Sequence, residues 1–164
     1  MIEVESPEVF GYTIFCDDIR VEHDGKVTLV GSYPGRMYVN GTFPITLPKF
    51  AISVVFNQAK DEFVPHLKLL IFLPGDKDEA SIQGEFGETS DGAILREVGK
   101  EPLPDGTGKY IGVTANIVMA PLILKEPGTI TVRVLRSDKI YRVGRLAVLQ
   151  GTIIVPPSAP SPPA

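Results

Sequence analysis

Glycine and proline residues divide this chain into short segments, and their spacing limits the secondary structure that it can form. Sixteen Gly and 15 Pro occur among 164 residues, and they separate short runs rich in β-branched side chains along almost the whole sequence. Gly and Pro destabilise the interior of a helix, whereas β-branched runs bounded by turn residues are typical of strands. The sequence therefore predicts an all-β domain, built as an antiparallel two-sheet sandwich.

Alternation of apolar and polar residues locates the strands. The predicted segments are Val9–Cys16, Ile19–Glu22, Val27–Tyr33, Arg36–Val39, Phe50–Phe56, Leu67–Leu73, Ala80–Phe86, Tyr110–Met119, Thr129–Leu135 and Tyr141–Val155. The last segment is expected to divide near Gly151. Asn57–Val64 is compatible with a helical turn, and Ser90–Gly99 with a short helix or an edge strand. Residues 1–155 are thus expected to form one domain, followed by a Pro-rich tail over Pro156–Ala164.

Charge, apolar content and cysteine usage exclude several classes of protein. The formal net charge of −4 argues against a protein that neutralises many phosphates of a nucleic acid. No apolar run is long enough to cross a bilayer, and Met1–Phe10 has neither the basic leader nor the apolar segment of a secretion signal. The single cysteine, Cys16, fits a reducing compartment. The sequence therefore predicts a cytoplasmic protein without a membrane partner.

The first predicted hairpin has a register that follows from its loop. A three-residue loop, His23–Gly25, ends on a glycine at the position that favours a left-handed backbone. This loop places Val21 opposite Val27, and the same register places Asp17 opposite Gly31. Asp17 is then expected to point inward and to accept hydrogen bonds from loop amides, unless the chain bulges at that point.

Three short motifs occur in the same part of the chain. Cys16–Glu22 reads C-D-D-I-R-V-E, Gly25–Tyr33 reads G-K-V-T-L-V-G-S-Y, and Leu47–Lys49 reads L-P-K. Together they resemble an uncharacterised bacterial domain family with the pattern C-D-D-x-R-x-E, G-K-x-[ST]-L-x-G-x-Y and L-P-[KR]. The resemblance covers about the first third of the chain and transfers no activity. It draws attention to a group of positions, namely Asp17, Asp18, Arg20, Glu22, Lys26 and Tyr33.

These positions predict either a ligand site or a structural network. Carboxylates beside an arginine can hold the split protonation states that acid–base catalysis needs, or can bind a ligand. Along one strand, however, Asp18, Arg20 and Glu22 share a face, so that Arg20 can pair with both neighbours on a solvated sheet surface. The structural interpretation is favoured, and an enzyme that uses Asp17, Asp18, Arg20 and Glu22 is the alternative.

Other chemistry-bearing residues do not complete a known motif. Pro74–Glu79 carries three carboxylates but lacks the spacing of an EF-hand, which favours a solvated turn over a calcium site. Cys16, His23 and His66 lack the spacing of a zinc site, and Cys16 is expected to be a small buried residue. Gly106–Lys109 lacks the residues that complete a phosphate-binding loop. The sequence therefore predicts no metal, no cofactor and no catalytic residue.

Basic residues are concentrated near the C-terminus, at Arg133, Arg136, Lys139, Arg142 and Arg145. They lie on a predicted hairpin that turns at Ser137–Lys139 and resembles the closing strands of immunoglobulin-like sandwiches. Strand alternation is expected to send these side chains to both faces of the sheet, which dilutes any single basic patch and disfavours nucleic-acid binding. Weak binding of an anion or nucleic acid through Arg133–Arg145 is therefore a second alternative.

Taken together, these patterns predict a non-catalytic binding or assembly module whose partner is an unknown protein or small ligand. A sandwich has edge strands that can pair with a second copy of the chain. Ala80–Phe86 and Arg36–Val39 are the short segments expected at such edges. A homo-oligomer that forms through these edges is a further prediction.

Overall fold

A computed structural model describes residues 9–87 and 110–151, and β-strands account for most of them. The strands are β1 (Val9–Cys16), β2 (Asp18–Val21), β3 (Val27–Val30), β4 (Arg36–Val39), β5 (Ile45–Leu47), β6 (Phe50–Ala59), β7 (His66–Phe72), β8 (Ile82–Gly87), β9 (Tyr110–Met119), β10 (Leu122–Leu124), β11 (Gly128–Arg136) and β12 (Lys139–Gln150). The only helical segment in this part of the chain is a 3-10 turn at Lys60–Glu62. The all-β prediction is confirmed; the predictions for Ser90–Gly99 and Pro156–Ala164 fall outside the described residues.

Two main sheets pack against each other. The first has the strand order β1-β6-β9, and the second has the order β4-β12-β11-β7-β8. All neighbouring strands in both sheets are antiparallel except β4 and β12, which are parallel. Alternate residues of each strand point into the shared core, where each large apolar side chain contributes about 1.5–3 kcal/mol by burial. Core residues include Phe50, Ile52, Val54 and Phe56 of β6 and Ile130, Val132 and Val134 of β11. The antiparallel two-sheet sandwich is confirmed, and its immunoglobulin-like character stays a prediction.

The β2–β3 hairpin has the predicted register. Val21 pairs with Val27, and Gly25 has the left-handed φ of 76° that the three-residue loop needs. The amide of Asp17 donates to the carbonyl oxygens of Val30 (2.9 Å) and Gly31 (3.3 Å), which places Asp17 opposite Gly31 as predicted.

A small second apolar cluster lies beneath this hairpin. It contains Cys16, Ile19 and Ala51, with Leu29 packed against them. Cys16 is fully buried, as predicted, and burial raises the pKa of its thiol. The hairpin is therefore attached to the first sheet by apolar packing as well as by the chain itself.

Two glycines lie where β1 of the first sheet contacts β12 of the second. A Cβ atom on Gly11 would lie 2.8 Å from Cγ1 of Val143, and a Cβ atom on Gly144 would overlap the side chain of Thr13. A larger residue at either position would force β1 and β12 apart or displace the neighbouring side chains. The absence of side chains at these two points lets β1 and β12 come together.

A buried polar network joins β6 of the first sheet to β11 of the second. Gln58 is fully buried; its Nε2 donates to the carbonyl oxygen of Val64 (3.0 Å), and its Oε1 accepts from the amide of Val64 (3.1 Å). The same Oε1 accepts from Nε of Arg136 (2.8 Å). Arg136 also donates to the carbonyl oxygen of Glu62 and lies 3.7 Å from its carboxylate. The network therefore fixes the chain segment that crosses between the sheets.

Several strand boundaries differ from the predictions. The short strands β5 and β10 pair with each other and were not predicted, because three residues next to a proline give no detectable period. Strand β12 is continuous up to Gln150, next to the predicted break at Gly151. The predicted edge segments are confirmed, since β4 and β8 are the outer strands of their sheet. In the described parts of the chain, no helix has the length and apolar character to cross a membrane.

Candidate functional site

The residues singled out around the first hairpin form local pairs. Asp17 is exposed and accepts a hydrogen bond from the hydroxyl of Tyr33, so the prediction that it points inward is wrong. The chain bends at Asp17 between β1 and β2, and the bend turns its side chain toward solvent. Burial, together with the hydrogen bond to Asp17, raises the pKa of Tyr33.

Asp18 is less exposed than Asp17, and its carboxylate contacts two cationic side chains, those of Lys49 and Arg20. Its side chain is 22% exposed, with Nζ of Lys49 at 3.1 Å and Nε of Arg20 at 3.6 Å. It also accepts a hydrogen bond from the amide of Ile19 (2.9 Å). The hydrogen bond from Lys49 lowers the pKa of Asp18 despite the opposing effect of partial burial. This carboxylate therefore fixes the start of β2 against the loop that carries Lys49.

Glu22 and Lys26 have partners within the hairpin. Glu22 accepts a hydrogen bond from the hydroxyl of Thr28 (2.6 Å), and Nζ of Lys26 lies 2.5 Å from the carboxylate of Asp24. In the structure, Arg20 pairs with Asp18, so the expected pairing of Arg20 with both carboxylates is only half correct. The six positions thus lie along one hairpin in separate pairs, and their polar groups bind to the hairpin and the adjoining loop.

The carboxylate of Asp76 closes the loop Pro74–Glu79, which was weighed above as a calcium site. It accepts hydrogen bonds from the amides of Leu73 (2.8 Å) and Ser81 (2.9 Å) and from the hydroxyl of Ser81 (2.7 Å). Across residues 9–87 and 110–151, no group of three or more His, Cys, Asp and Glu side chains is arranged to hold a metal ion. The role of Asp76 in this loop is structural.

A different group of side chains converges on the outer face of the five-stranded sheet. Arg133 of β11 and Arg142 and Arg145 of β12 line a cavity of about 440 Å³. The cavity, hereafter the arginine cavity, is completed by Thr129, Thr131 and Gly144. Sequence alternation assigned these arginines to both faces of the sheet, and this prediction is wrong for the three that line the cavity.

A β-bulge explains the error. Val132 pairs with Gly144, whereas Arg133 pairs with Arg142, so Val143 is an extra residue on β12. Residues three positions apart point to opposite faces of a regular strand, but one inserted residue restores them to the same face. Arg142 and Arg145 therefore both project outward, beside Arg133. A glycine inside a predicted strand is a known sign of a bulge, so Gly144 was the signal that could have revealed it.

The arginine cavity carries positive charge that no carboxylate of the described residues neutralises. The guanidinium of Arg133 lies 4.2 Å from the centre of the Phe72 ring, and its Nε is buried without a hydrogen-bond partner. Arg142 and Arg145 are exposed. Among the described residues, none of these three arginines forms an ion pair with a carboxylate. The remaining basic residues of the hairpin lie elsewhere, because Arg136 binds the Gln58 network and Lys139 lies at the turn.

Comparison with known protein families, with curated proteins and with solved structures found no match. The resemblance to a bacterial domain family therefore stays a prediction. A sandwich fold hosts many unrelated activities, so function has to be argued from the chemistry of the site.

Proposed function

We propose that this protein is a non-catalytic binding module that holds a multivalent oxyanion, such as a group of phosphates, in the arginine cavity. The observation that carries the proposal is the convergence of Arg133, Arg142 and Arg145 on one cavity, where no carboxylate from residues 9–87 or 110–151 pairs with them. Like charges held together repel one another, and a bound anion relieves that repulsion. A β-bulge at Val143 of β12 brings these charges together.

The donors around the cavity suit phosphate oxygens. A guanidinium presents its N–H groups in a planar fork that matches phosphate and carboxylate groups, and such charge-assisted hydrogen bonds are the strong ones. The hydroxyls of Thr129 and Thr131 add further donors beside the arginines. The unpartnered Nε of Arg133 is a desolvated donor, which costs about 1–3 kcal/mol when it binds nothing. An anion in the cavity would offset that cost.

Size and lining favour a small ligand that is bound without chemical change. Small-molecule sites usually enclose about 300–1,000 Å³, and the arginine cavity falls within that range. Its lining consists of arginine, threonine and glycine, none of which is an ordinary general base near neutral pH. The net charge of −4 disfavours extended contact with nucleic acid. The single, buried Cys16 supports a reducing, cytoplasmic location for this module.

Calorimetric titration with sodium tripolyphosphate tests the proposal. We expect saturable binding by the wild-type protein, at least tenfold weaker binding by the double variant Arg142→Gln/Arg145→Gln, and a fall in affinity as salt is added. The control is Arg20→Gln, which removes an exposed arginine outside the cavity and should bind like the wild type. Affinity that is unchanged in the double variant would contradict the proposal.

A further inference from the structure

The outer face that carries the arginine cavity continues onto β4. In the parallel pairing of β12 with β4, Ala147 lies opposite Arg36, and Leu149 lies opposite Tyr38. Met37 and Val39 are buried in the core, so the alternate residues Arg36 and Tyr38 point outward, on the same side as Arg145. The cavity and the β4 side chains therefore belong to one continuous surface.

Tyr38 provides a flat and accessible ring on this surface. It is 54% exposed, and its neighbour Leu149 is 36% exposed. The ring lies against Gly151, where a Cβ atom would come within 2.9 Å of Cδ1 of Tyr38. Packing of this kind restrains the ring while leaving part of it open to solvent. Tyr38 and Leu149 together form a flat apolar surface, hereafter the platform, on which a planar group can stack.

Spacing along the strands places this platform within reach of a ligand in the cavity. Leu149 is four residues beyond Arg145, which corresponds to about 13 Å along β12. Arg36 lies between them on the adjacent strand. The surface thus presents guanidinium groups at one end, a further guanidinium in the middle and an aromatic ring at the other end. None of the outward-facing residues on this path, namely Arg145, Ala147, Leu149, Arg36 and Tyr38, is acidic.

We infer that the anion bound in the arginine cavity belongs to a nucleotide, whose phosphates contact the arginines and whose base stacks on Tyr38. The inference rests on the proposed function and names its class of ligand. Guanidinium groups recognise phosphates, and aromatic side chains stack with bases of any sequence. One cavity with one exposed ring on the same described face suits one nucleotide, whereas a nucleic-acid strand is usually bound by several stacking residues.

Calorimetry with adenosine triphosphate, tripolyphosphate and a short single-stranded oligonucleotide tests the inference on the full chain. We expect adenosine triphosphate to bind at least tenfold more tightly than tripolyphosphate. Tyr38→Ala should remove that advantage and change the affinity for tripolyphosphate less than twofold, and Tyr38→Phe should retain it. Tyr12→Ala is the control, because Tyr12 is a similarly exposed tyrosine (49%) on β1 of the other sheet.

The outcomes separate this inference from the proposed function. Equal affinities for adenosine triphosphate and tripolyphosphate, or an unchanged advantage in Tyr38→Ala, would overturn the nucleotide inference and leave anion binding intact. Failure of every phosphate ligand to bind would overturn both. Tighter binding of the oligonucleotide than of the nucleotide would replace the inference with nucleic-acid binding. Saturation-transfer NMR on the wild-type protein provides a check without mutation, since the base protons should receive saturation from the protein and would not if the base remained in solvent.

Discussion

At the scale of single residues, the buried amide of Gln58 has the clearest energetic role. It satisfies both backbone groups of Val64 and the Nε of Arg136 at once. A buried donor or acceptor that loses its partner costs about 1–3 kcal/mol. We therefore expect Gln58→Leu to lower the free energy of unfolding by at least about 2 kcal/mol, as measured by urea denaturation.

The same substitution at Gln83 is the control for this experiment. Gln83 is exposed and donates one long hydrogen bond (3.3 Å) to the carbonyl oxygen of Ala80. Gln83→Leu should change the free energy of unfolding by less than about 0.5 kcal/mol. Equal losses in the two variants would show that the Gln58 network contributes little.

Gly31 combines a left-handed backbone with a lack of space. Its φ is +66°, and a Cβ atom there would overlap the carboxylate of Asp17. Gly35 has a similar φ of +82° but open space around it. A left-handed alanine costs about 1–2 kcal/mol at either position, and at Gly31 the exposed Asp17 carboxylate must also move and lose its hydrogen bond from Tyr33. In thermal denaturation, we expect Gly35→Ala to lower the melting temperature through the backbone cost alone. Gly31→Ala should lower it further, because the contact with Asp17 adds to that cost. Equal melting temperatures for the two variants would contradict the role of this contact.

Asp18 should titrate below its ordinary pKa of 3.8, because Lys49 donates a hydrogen bond to its carboxylate. A carboxylate with a lowered pKa stabilises the fold above the pKa of the unfolded chain, and this contribution is lost as the pH falls through the lower, folded pKa. NMR titration should show the pKa of Asp18 rising toward 3.8 in Lys49→Met. It should stay unchanged in Lys26→Met, because Lys26 pairs with Asp24. An Asp18 pKa that is insensitive to Lys49 would contradict this assignment.

At the scale of strands and hairpins, local sequence predicts the register better than it predicts side-chain direction. The loop ending at Gly25 sets the pairing of Val21 with Val27 and the position of Asp17 opposite Gly31. The direction of Asp17 was wrong because a bend between two strands is not visible in an alternating pattern. The two deviations, a bend and a bulge, are the places where the period of two is interrupted.

The close approach of β1 and β12 gives a test at this scale. Gly144→Ala would introduce a methyl group where the Thr13 side chain already lies, and overpacking of this kind costs about 1–3 kcal/mol. We expect the free energy of unfolding to fall by that amount and to recover in part when Thr13→Gly is added. Gly84→Ala is the control, since a Cβ atom there meets nothing within 4 Å. Without such recovery, the loss would have another cause than the contact between β1 and β12.

At the scale of the whole molecule, the fold class was predictable, and of the candidate site only the basic hairpin Arg133–Arg145 was, without the shared face of its arginines. Turn residues and short apolar runs are local features, and they are enough to indicate an all-β sandwich. The arginine cavity depends on the pairing of β11 with β12 and on one inserted residue, Val143. The route from the cavity to Tyr38 depends on the parallel pairing of β4 with β12, which joins distant parts of the chain. No local pattern predicts this parallel pairing.

Strand β12 lies in the interior of the five-stranded sheet, between β4 and β11. A chain that ends at Ser137 would lack this strand, and we expect it to show no cooperative thermal unfolding. A chain that ends at Val155 keeps β12 and loses only a tail with few large apolar residues, so its melting temperature should match that of the full chain. Circular dichroism measures both, and cooperative unfolding of the shorter chain would contradict a central role for β12.

The position of β12 also has a consequence for synthesis of the protein on the ribosome. β4 pairs only with β12 within the described part of the chain, so Arg36–Val39 leaves the ribosome long before its partner strand has been made. Until then, the buried residues Met37 and Val39 lie on an unpaired strand, a species that tends to aggregate. The nascent chain therefore has a long interval in which a chaperone can bind β4, and that interval ends when β12 emerges.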